Sequence, residues 1–159
     1  MDQVAIQKLL VVEKKRFQNA CALKRFSELE VEPEADRLKW DYGRETFDCF
    51  IVLKDIQTNT GIVYSEFGFG PQNPWGLVFL SKMQSGMDSG WFNNLFDCFM
   101  DTPAAGDLPI WILSKTGSDG DMTIIEEGVT LHQAFSLRDK LWDNPKDRSF
   151  VISYEKDQV

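Results

Sequence analysis

The chain has 159 residues, of which 43% are hydrophobic and 13% aromatic, which suffices for one domain with a real core and excludes an intrinsically disordered chain. The formal net charge is −8, and so acidic a surface repels phosphate backbones and anionic lipids, which argues against nucleic-acid and membrane binding. The same charge suits a basic protein partner, or simply keeps the protein soluble.

The cysteine pattern predicts a reduced protein without metal. Cys21, Cys49 and Cys98 are widely spaced, form no Cys-x-x-Cys motif, and share the chain with a single histidine, His132. The N-terminus lacks the features of a signal peptide, and no apolar run is long enough to span a bilayer. We therefore expect a cytoplasmic protein with no metal, no cofactor and no membrane segment.

The first half of the chain predicts a helix followed by strands. Helical spacing runs from residue 3 to about residue 26, and the acidic run around Pro33 predicts an exposed, charged connector near residues 27–37. Residues 38–42 alternate like a short strand. Residues 47–56 form the strongest strand pattern, and a turn at 58–61 leads to a partner strand at 62–69.

The middle of the chain predicts a loop and then a central helix. The glycines and prolines of residues 68–76 indicate a special loop that holds Trp75, and residues 77–80 predict a strand. Residues 86–102 predict one helix with Asp88 or Ser89 as N-cap. Its aromatic stripe, built around Trp91, Leu95 and Phe99, lies beside a polar stripe of Asn93, Asp97 and Asp101.

The last third predicts two hairpin strands, a helix and a final strand. Strands at 108–113 and 122–126 flank a turn at 117–120, and Thr130 with Gln133 has the form of a capping box for a helix that runs to about residue 143. Residues 149–154 predict the last strand. Together these patterns predict a single α+β domain over residues 1–159, with a mainly antiparallel twisted sheet and about three helices mostly on one face.

Few residues suggest a reaction. Cys98 and His132 could form a nucleophile and its base, but a small thiol inside a helix and a histidine in a first helical turn are more typical of structural positions. Asp119 and Asp121, with Glu126 and Glu127, could bind a hard cation, although the calcium-loop pattern is absent and a plain turn is favoured.

The candidate contact residues for a partner are Trp75, Asp97, Asp101 and Glu126. Trp75 is an aromatic anchor in the predicted loop. Asp101 lies at the C-terminal end of the predicted helix, where a negative charge opposes the helix dipole and could instead contact a basic partner. The rival hypothesis is a small enzyme or ligand-binding domain whose pocket is walled by Trp75, Trp91 and Trp111.

Three segments, Pro74-Trp75-Gly76, the run from Gly86 to Phe92, and Leu108-Pro109-Ile110-Trp111, together resemble small acidic immunity proteins of bacterial polymorphic toxin systems. The resemblance covers roughly residues 60 to 115. It implies a cytoplasmic bacterial protein that binds and neutralises a cognate toxin, without catalytic residues and with an interface that varies with the toxin. An adaptor protein is a further alternative.

Overall fold

The computed structural model describes residues 1–67, 70–86, 90–141 and 149–156. Within these residues the α+β class and the mainly antiparallel pairing are confirmed, with the strands divided over two sheets. The helices are α1 Gln3–Lys14, α2 Ala20–Leu29, α3 Leu95–Met100, α4 Pro103–Gly106 and α5 Leu131–Leu141. The strands are β1 Glu30–Trp40, β2 Thr46–Asp55, β3 Thr60–Tyr64, β4 Trp75–Phe79, β5 Gln84–Ser85, β6 Trp91–Phe92, β7 Trp111–Thr116, β8 Met122–Val129 and β9 Phe150–Tyr154.

The chain divides into two compact units. The first comprises Met1–Phe17 and Ala22–Ala105, and the second comprises Gln18–Cys21 and Gly106–Val159. The first unit therefore holds the strands β1 to β6, and the second holds β7, β8 and β9.

The single helix expected over residues 3–26 is wrong: α1 ends at Lys14 and α2 begins at Ala20. Asp2 caps α1 by accepting a hydrogen bond from the Ala5 N–H at 2.8 Å. After α1 the chain turns, and the Phe17 ring packs against Phe26 at a centroid distance of 5.3 Å. This tertiary contact outweighs the weak preference of the intervening residues for a continuous helix.

The charged connector expected near residues 27–37 is also wrong, because this segment is the end of α2 and most of β1. The acidic residues lie on a strand that pairs with β2 along its length. Pro33, which argued against a strand, falls where the β1–β2 register shifts between Glu30 and Glu34, and a bulge tolerates a residue without an N–H. Charged side chains on such an outer strand also discourage pairing with other chains.

The first sheet is strongly curled. Its order is β5-β1-β2-β3-β4-β6, and the chain turns from β4 directly into β5, which pairs in parallel with β1 at the other side. One face of the sheet therefore encloses an apolar cluster of Leu38, Cys49, Ile51, Val63 and Val78. Trp91 covers this cluster so closely that a β-carbon on Gly76 would lie 2.8 Å from its ring, which explains the glycine.

The central helix is much shorter than the predicted span of 86–102. Trp91 and Phe92 pair with Gly76 and Trp75 as strand β6, and this long-range pairing overrides the helical spacing. The helix α3 begins after Asn94, whose side chain caps it by accepting from the Asp97 N–H at 2.8 Å. The predicted N-caps Asp88 and Ser89 lie outside the described residues.

The second unit is a three-stranded antiparallel sheet in the order β8-β7-β9, with α5 in contact with all three strands. The turn expected between β7 and β8 is confirmed, and Gly120 adopts a positive φ of 89° there. The capping box is also confirmed: Thr130 N–H donates to Gln133 Oε1 at 2.9 Å, and Gln133 N–H donates to Thr130 Oγ1 at 3.3 Å.

Candidate functional site

A concave cavity of about 540 Å³ lies in the first unit. Its charged and aromatic lining consists of Asp41, Tyr42, Phe79, Lys82 and Asp101. These residues come from the loop after β1, the end of β4, the turn that follows it, and the end of α3. Tyr42 and Phe79 are 62% and 61% exposed, so two aromatic rings stand open to solvent at this site.

Backbone pairing fixes Asp41 at the cavity. The Asp41 N–H donates to the Ser85 carbonyl at 3.0 Å, which extends the short pairing of β1 with β5. A β-carbon on Gly86 would lie 2.9 Å from Asp41 Oδ2 and 3.1 Å from Tyr42 Cε2. Glycine at position 86 therefore leaves room for both side chains beside β5.

Lys82 lies in a turn that is held from two sides. Asn59, itself at a positive φ of 58°, accepts a hydrogen bond from the Ser81 N–H at 3.0 Å and donates to Ser81 Oγ at 2.8 Å. The next residue, Met83, has a φ of 45°, a conformation that costs a non-glycine residue on the order of 1 kcal/mol and occurs preferentially at functional sites.

Asp101 is positioned by α3, and α3 is held by a buried carboxylate of α1. Asp101 is the C-cap residue of the helix, where its side chain is exposed. At the other end, the Leu95 N–H donates to Glu13 Oε2 at 2.9 Å, in a buried hydrogen bond across 82 residues of sequence. Glu13 is 3% exposed, so this contact fixes the start of α3 and, through it, the position of Asp101.

The charges that line the cavity are not neutralised locally. Among the described residues, neither Asp41 nor Asp101 forms an ion pair, and neither does Lys82. Two carboxylates beside exposed aromatic rings suit a cation with a planar or apolar stem, such as an arginine side chain. The arrangement is therefore chemically suited to bind a positively charged group, with Lys82 free to meet an accompanying carboxylate.

The four predicted contact residues have different environments. Asp101 lines the cavity, whereas Asp97 accepts a hydrogen bond from Asn94 Nδ2 at 2.7 Å and so belongs to the cap of α3. Trp75 is not in a surface loop: it lies in β4, is 1% exposed, and packs against Tyr64. Glu126 lies on β8 in the second unit, where it is exposed.

The tryptophans of the rival hypothesis are packed rather than open. Trp75 belongs to the core, and Trp91 lies over Gly76. Trp111 is 8% exposed and its ring packs against Tyr154 within the second unit. None of the three lines the described cavity, so the expected tryptophan walls are not those of this site.

The candidate catalytic residues have structural environments. The Cys98 side chain is fully buried, and burial together with the nearby Asp101 and Asp97 carboxylates raises the pKa of its thiol well above the usual range, the opposite of nucleophile activation. His132 is exposed in the first turn of α5. Asp119 accepts a hydrogen bond from the Asp121 N–H at 3.2 Å, as in an ordinary turn.

In the parts of the chain that the structure describes, no three side chains of His, Cys, Asp or Glu converge on a point where a metal ion could bind. No helix within these parts combines the length and the apolar character needed to cross a bilayer.

Sequence reasoning missed Asp41, Tyr42, Phe79 and Lys82. The available signal was weak: Asp41 and Tyr42 directly precede Gly43, which predicts a turn, and loops carry binding residues more often than strands do. Phe79 ends a strand pattern and reads as an ordinary apolar position. The cavity forms only because the curled sheet brings β5 against β1 and β4.

The sequence matches no known protein family, and comparisons with curated proteins and with solved structures likewise find no match. The resemblance to immunity proteins therefore stays a prediction.

Proposed function

We propose that this protein is a non-enzymatic inhibitor that binds a basic protein partner at the cavity, and that this partner is a cognate bacterial toxin. The observation that supports binding is the cavity of about 540 Å³ with two carboxylates and two exposed aromatic rings. The toxin as partner rests on the resemblance of residues 60–115 to immunity proteins.

The charge and the exposure of the lining residues favour a basic side chain of a partner protein in the cavity over other ligands. Asp41 and Asp101 have no ion-pair partner among the described residues, so a partner's arginine or lysine would supply the missing charge. Exposed aromatic side chains beside a concave site are typical anchors of protein interfaces. The net charge of −8 would also steer a basic surface toward this protein and speed association.

The first experiment identifies the partner. The tagged protein is expressed in its native host, and the proteins that co-purify at stoichiometric amounts under low salt are identified. We expect a protein with a basic surface whose toxicity on expression in a bacterial host is suppressed when this chain is co-expressed. A partner that shows no toxicity would contradict the inhibitor role while leaving protein binding intact.

The second experiment tests the cavity. Asp41→Lys combined with Asp101→Lys should slow association and weaken binding by at least about tenfold, because the change replaces attraction by repulsion at the contact. The matched control is Glu32→Lys with Asp36→Lys, which makes the same change in net charge at exposed positions of β1 that do not line the cavity. Equal effects of the two pairs would show that only net charge matters.

Phe79→Ala tests the aromatic part of the same site. Loss of an anchoring ring at an interface costs about 2 kcal/mol or more of binding free energy, whereas loss of an exposed ring changes folding stability little. Isothermal titration calorimetry and thermal unfolding measure the two effects separately. Unchanged affinity would remove Phe79 from the interface.

A second candidate function is small-molecule binding at the same cavity, whose volume lies within the range of about 300–1,000 Å³ typical of ligand pockets. An organic cation would be the matching ligand. A panel of aliphatic and aromatic amines in a thermal-shift assay tests this. A ligand that stabilises the protein, but not the Asp41→Asn and Asp101→Asn variants, would favour ligand binding or an enzyme if no protein co-purifies. No observation supports an adaptor role specifically.

A further inference from the structure

The strand β8 in the second unit is an open sheet edge with apolar side chains. The sheet order β8-β7-β9 leaves one side of β8 without a neighbouring strand among the described residues. Met122 and Ile124 are 60% and 56% exposed, and Val151, which lies on the same face across Ser114, is also exposed. The regular part of this edge is Met122–Ile124, because the pairing with β7 shifts register beyond Ile124. Exposed apolar residues on an open edge invite pairing with another strand.

The hydrogen bonds of the hairpin define which backbone groups are open. The Gly117 N–H donates to the Asp121 carbonyl at 2.8 Å, so these two residues form a hydrogen-bonded pair. Because bonded and non-bonded pairs alternate along an antiparallel ladder, Lys115 and Thr123 form the next bonded pair. The N–H and C=O groups of Met122 and Ile124 therefore point away from β7, toward the open edge.

A second hydrogen bond supports this assignment. The Thr116 N–H donates to the Ser149 carbonyl at 2.7 Å, away from its β8 neighbour Met122. The Thr116–Met122 pair is thus a non-bonded pair, as the alternation requires.

The charges around this edge select the partner. Four carboxylates, those of Asp119, Asp121, Glu126 and Glu127, lie on β8 or in the turn that precedes it, and none of them forms an ion pair with a described residue. Like charges across a ladder are destabilising and opposite charges are stabilising. A second copy of this chain would bring four more carboxylates to the edge, whereas a basic strand would neutralise those already present.

We infer that β8 is a docking site for an extended segment of a basic protein, which adds as a further strand beside Met122 and Ile124. The added strand pairs its backbone with the open groups of these two residues. It places apolar side chains on the face of Met122, Ile124 and Val151, and lysine or arginine opposite the carboxylates. The inference is argued from β8 alone and does not depend on the proposed function.

The test uses two labelled ten-residue peptides. In the first, every second residue is lysine and the others are valine or threonine. The second has glutamate in place of each lysine. Fluorescence anisotropy measures their binding to the full chain. The lysine peptide should bind at least about tenfold more tightly than the glutamate peptide, and Glu126→Lys with Glu127→Lys should abolish that preference, because the two new cations offset Asp119 and Asp121. Equal binding of the two peptides, or none of either, would contradict the inference.

Backbone pairing is tested separately from charge. Ile124→Pro removes an N–H that points to the open edge and spares the pairing with β7, a position where an edge strand tolerates proline. It should weaken binding of the lysine peptide by at least about tenfold, whereas Ile124→Thr, which keeps the N–H, should weaken binding less.

Amide hydrogen exchange of the wild-type chain gives a readout that needs no variant. The lysine peptide should protect the Met122 and Ile124 amides and leave Thr123, already bonded to β7, unchanged. Protection without peptide that rises with protein concentration would identify a second copy as the occupant and overturn the inference, as would peptide binding without protection at either amide.

Discussion

The two sheets of this chain bury their strands to very different extents. All five residues of β3, in the middle of the first sheet, are buried, whereas none of the eight residues of β8 is. A strand buried on both faces contributes stability and holds its neighbours in place, and an exposed edge strand keeps backbone groups available for a partner. The first unit therefore offers a preformed cavity, and the second offers an open edge.

The largest expected effect is on the core of the first unit. Phe99 is fully buried, with ring centroids 5.6 Å from Phe26 and 5.8 Å from Phe17. Phe99→Ala should lower the free energy of unfolding by about 3–5 kcal/mol, because it leaves a cavity among these rings. Urea unfolding followed by circular dichroism measures this loss. The control is Phe135→Ala in α5, where the ring is 41% exposed and a far smaller loss is expected.

The next effect concerns the link between α1 and α3. Glu13→Ala should cost about 1–3 kcal/mol, since it leaves the buried Leu95 N–H without an acceptor. Glu13→Gln keeps an acceptor and loses only the ion pair with Arg16, whose side chain is 56% exposed, so its cost should be smaller. Equal losses in the two variants, measured by urea unfolding, would show that the hydrogen bond to Leu95 does not matter.

The sequence predicted the elements that have local signals and missed the contacts between distant residues. The β2–β3 hairpin and the capping box of α5 were predicted because their signals are local: a run rich in Phe, Ile, Val and Leu, a turn with Asn59, and Thr130 three residues before Gln133. The partner strand is Thr60–Tyr64, however, and not the predicted 62–69. The contact of Glu13 with Leu95 has no local signal. Neither does the pairing of Trp91 with Gly76, which turned a predicted helix into strand β6.

The candidate site likewise combines one residue with a local signal and others that only the long-range folding of the chain brings together. Asp101 could be predicted because an acidic residue at a helix C-terminus opposes the dipole and is unfavourable for stability alone. The other lining residues come from segments that meet only when the sheet curls. Trp75 was misplaced because the glycines and prolines around it suggest a loop, whereas its ring fills the space beside Tyr64 in the core.

Two buried cysteines make the stability of the first unit depend on pH. Burial, with smaller effects of the Asp36 and Asp48 carboxylates, raises the pKa of the Cys49 thiol from the ordinary 9.0 to about 12. Between these two values the unfolded chain loses the thiol proton and the native chain keeps it. The contribution of the Cys49 thiol to the free energy of unfolding is therefore fully present below about pH 9. It falls as the pH rises, by at most about 1.4 kcal/mol per pH unit for one such group.

Urea unfolding between pH 8 and pH 11 under reducing conditions measures this slope. Cys49→Ala should make it shallower, and the buried Cys98 of the same unit should account for part of what remains. Cys21→Ala, which removes an exposed thiol, is the control for the loss of a cysteine side chain. A slope that does not depend on Cys49 would contradict the burial of this thiol in the core.

The smallest expected effect tests the open face of β8. Ile124→Thr keeps the branch at Cβ, replaces a methylene by a hydroxyl and removes the δ-methyl, so at 56% exposure it should shift the free energy of unfolding by less than about 0.5 kcal/mol. The same substitution at Ile62, which is fully buried in β3, should cost about 2 kcal/mol or more because a hydroxyl enters the core. Comparable losses at the two positions would mean that Ile124 is covered in solution. In that case β8 would be no more open than β3, and the docking site inferred at its edge would already be occupied.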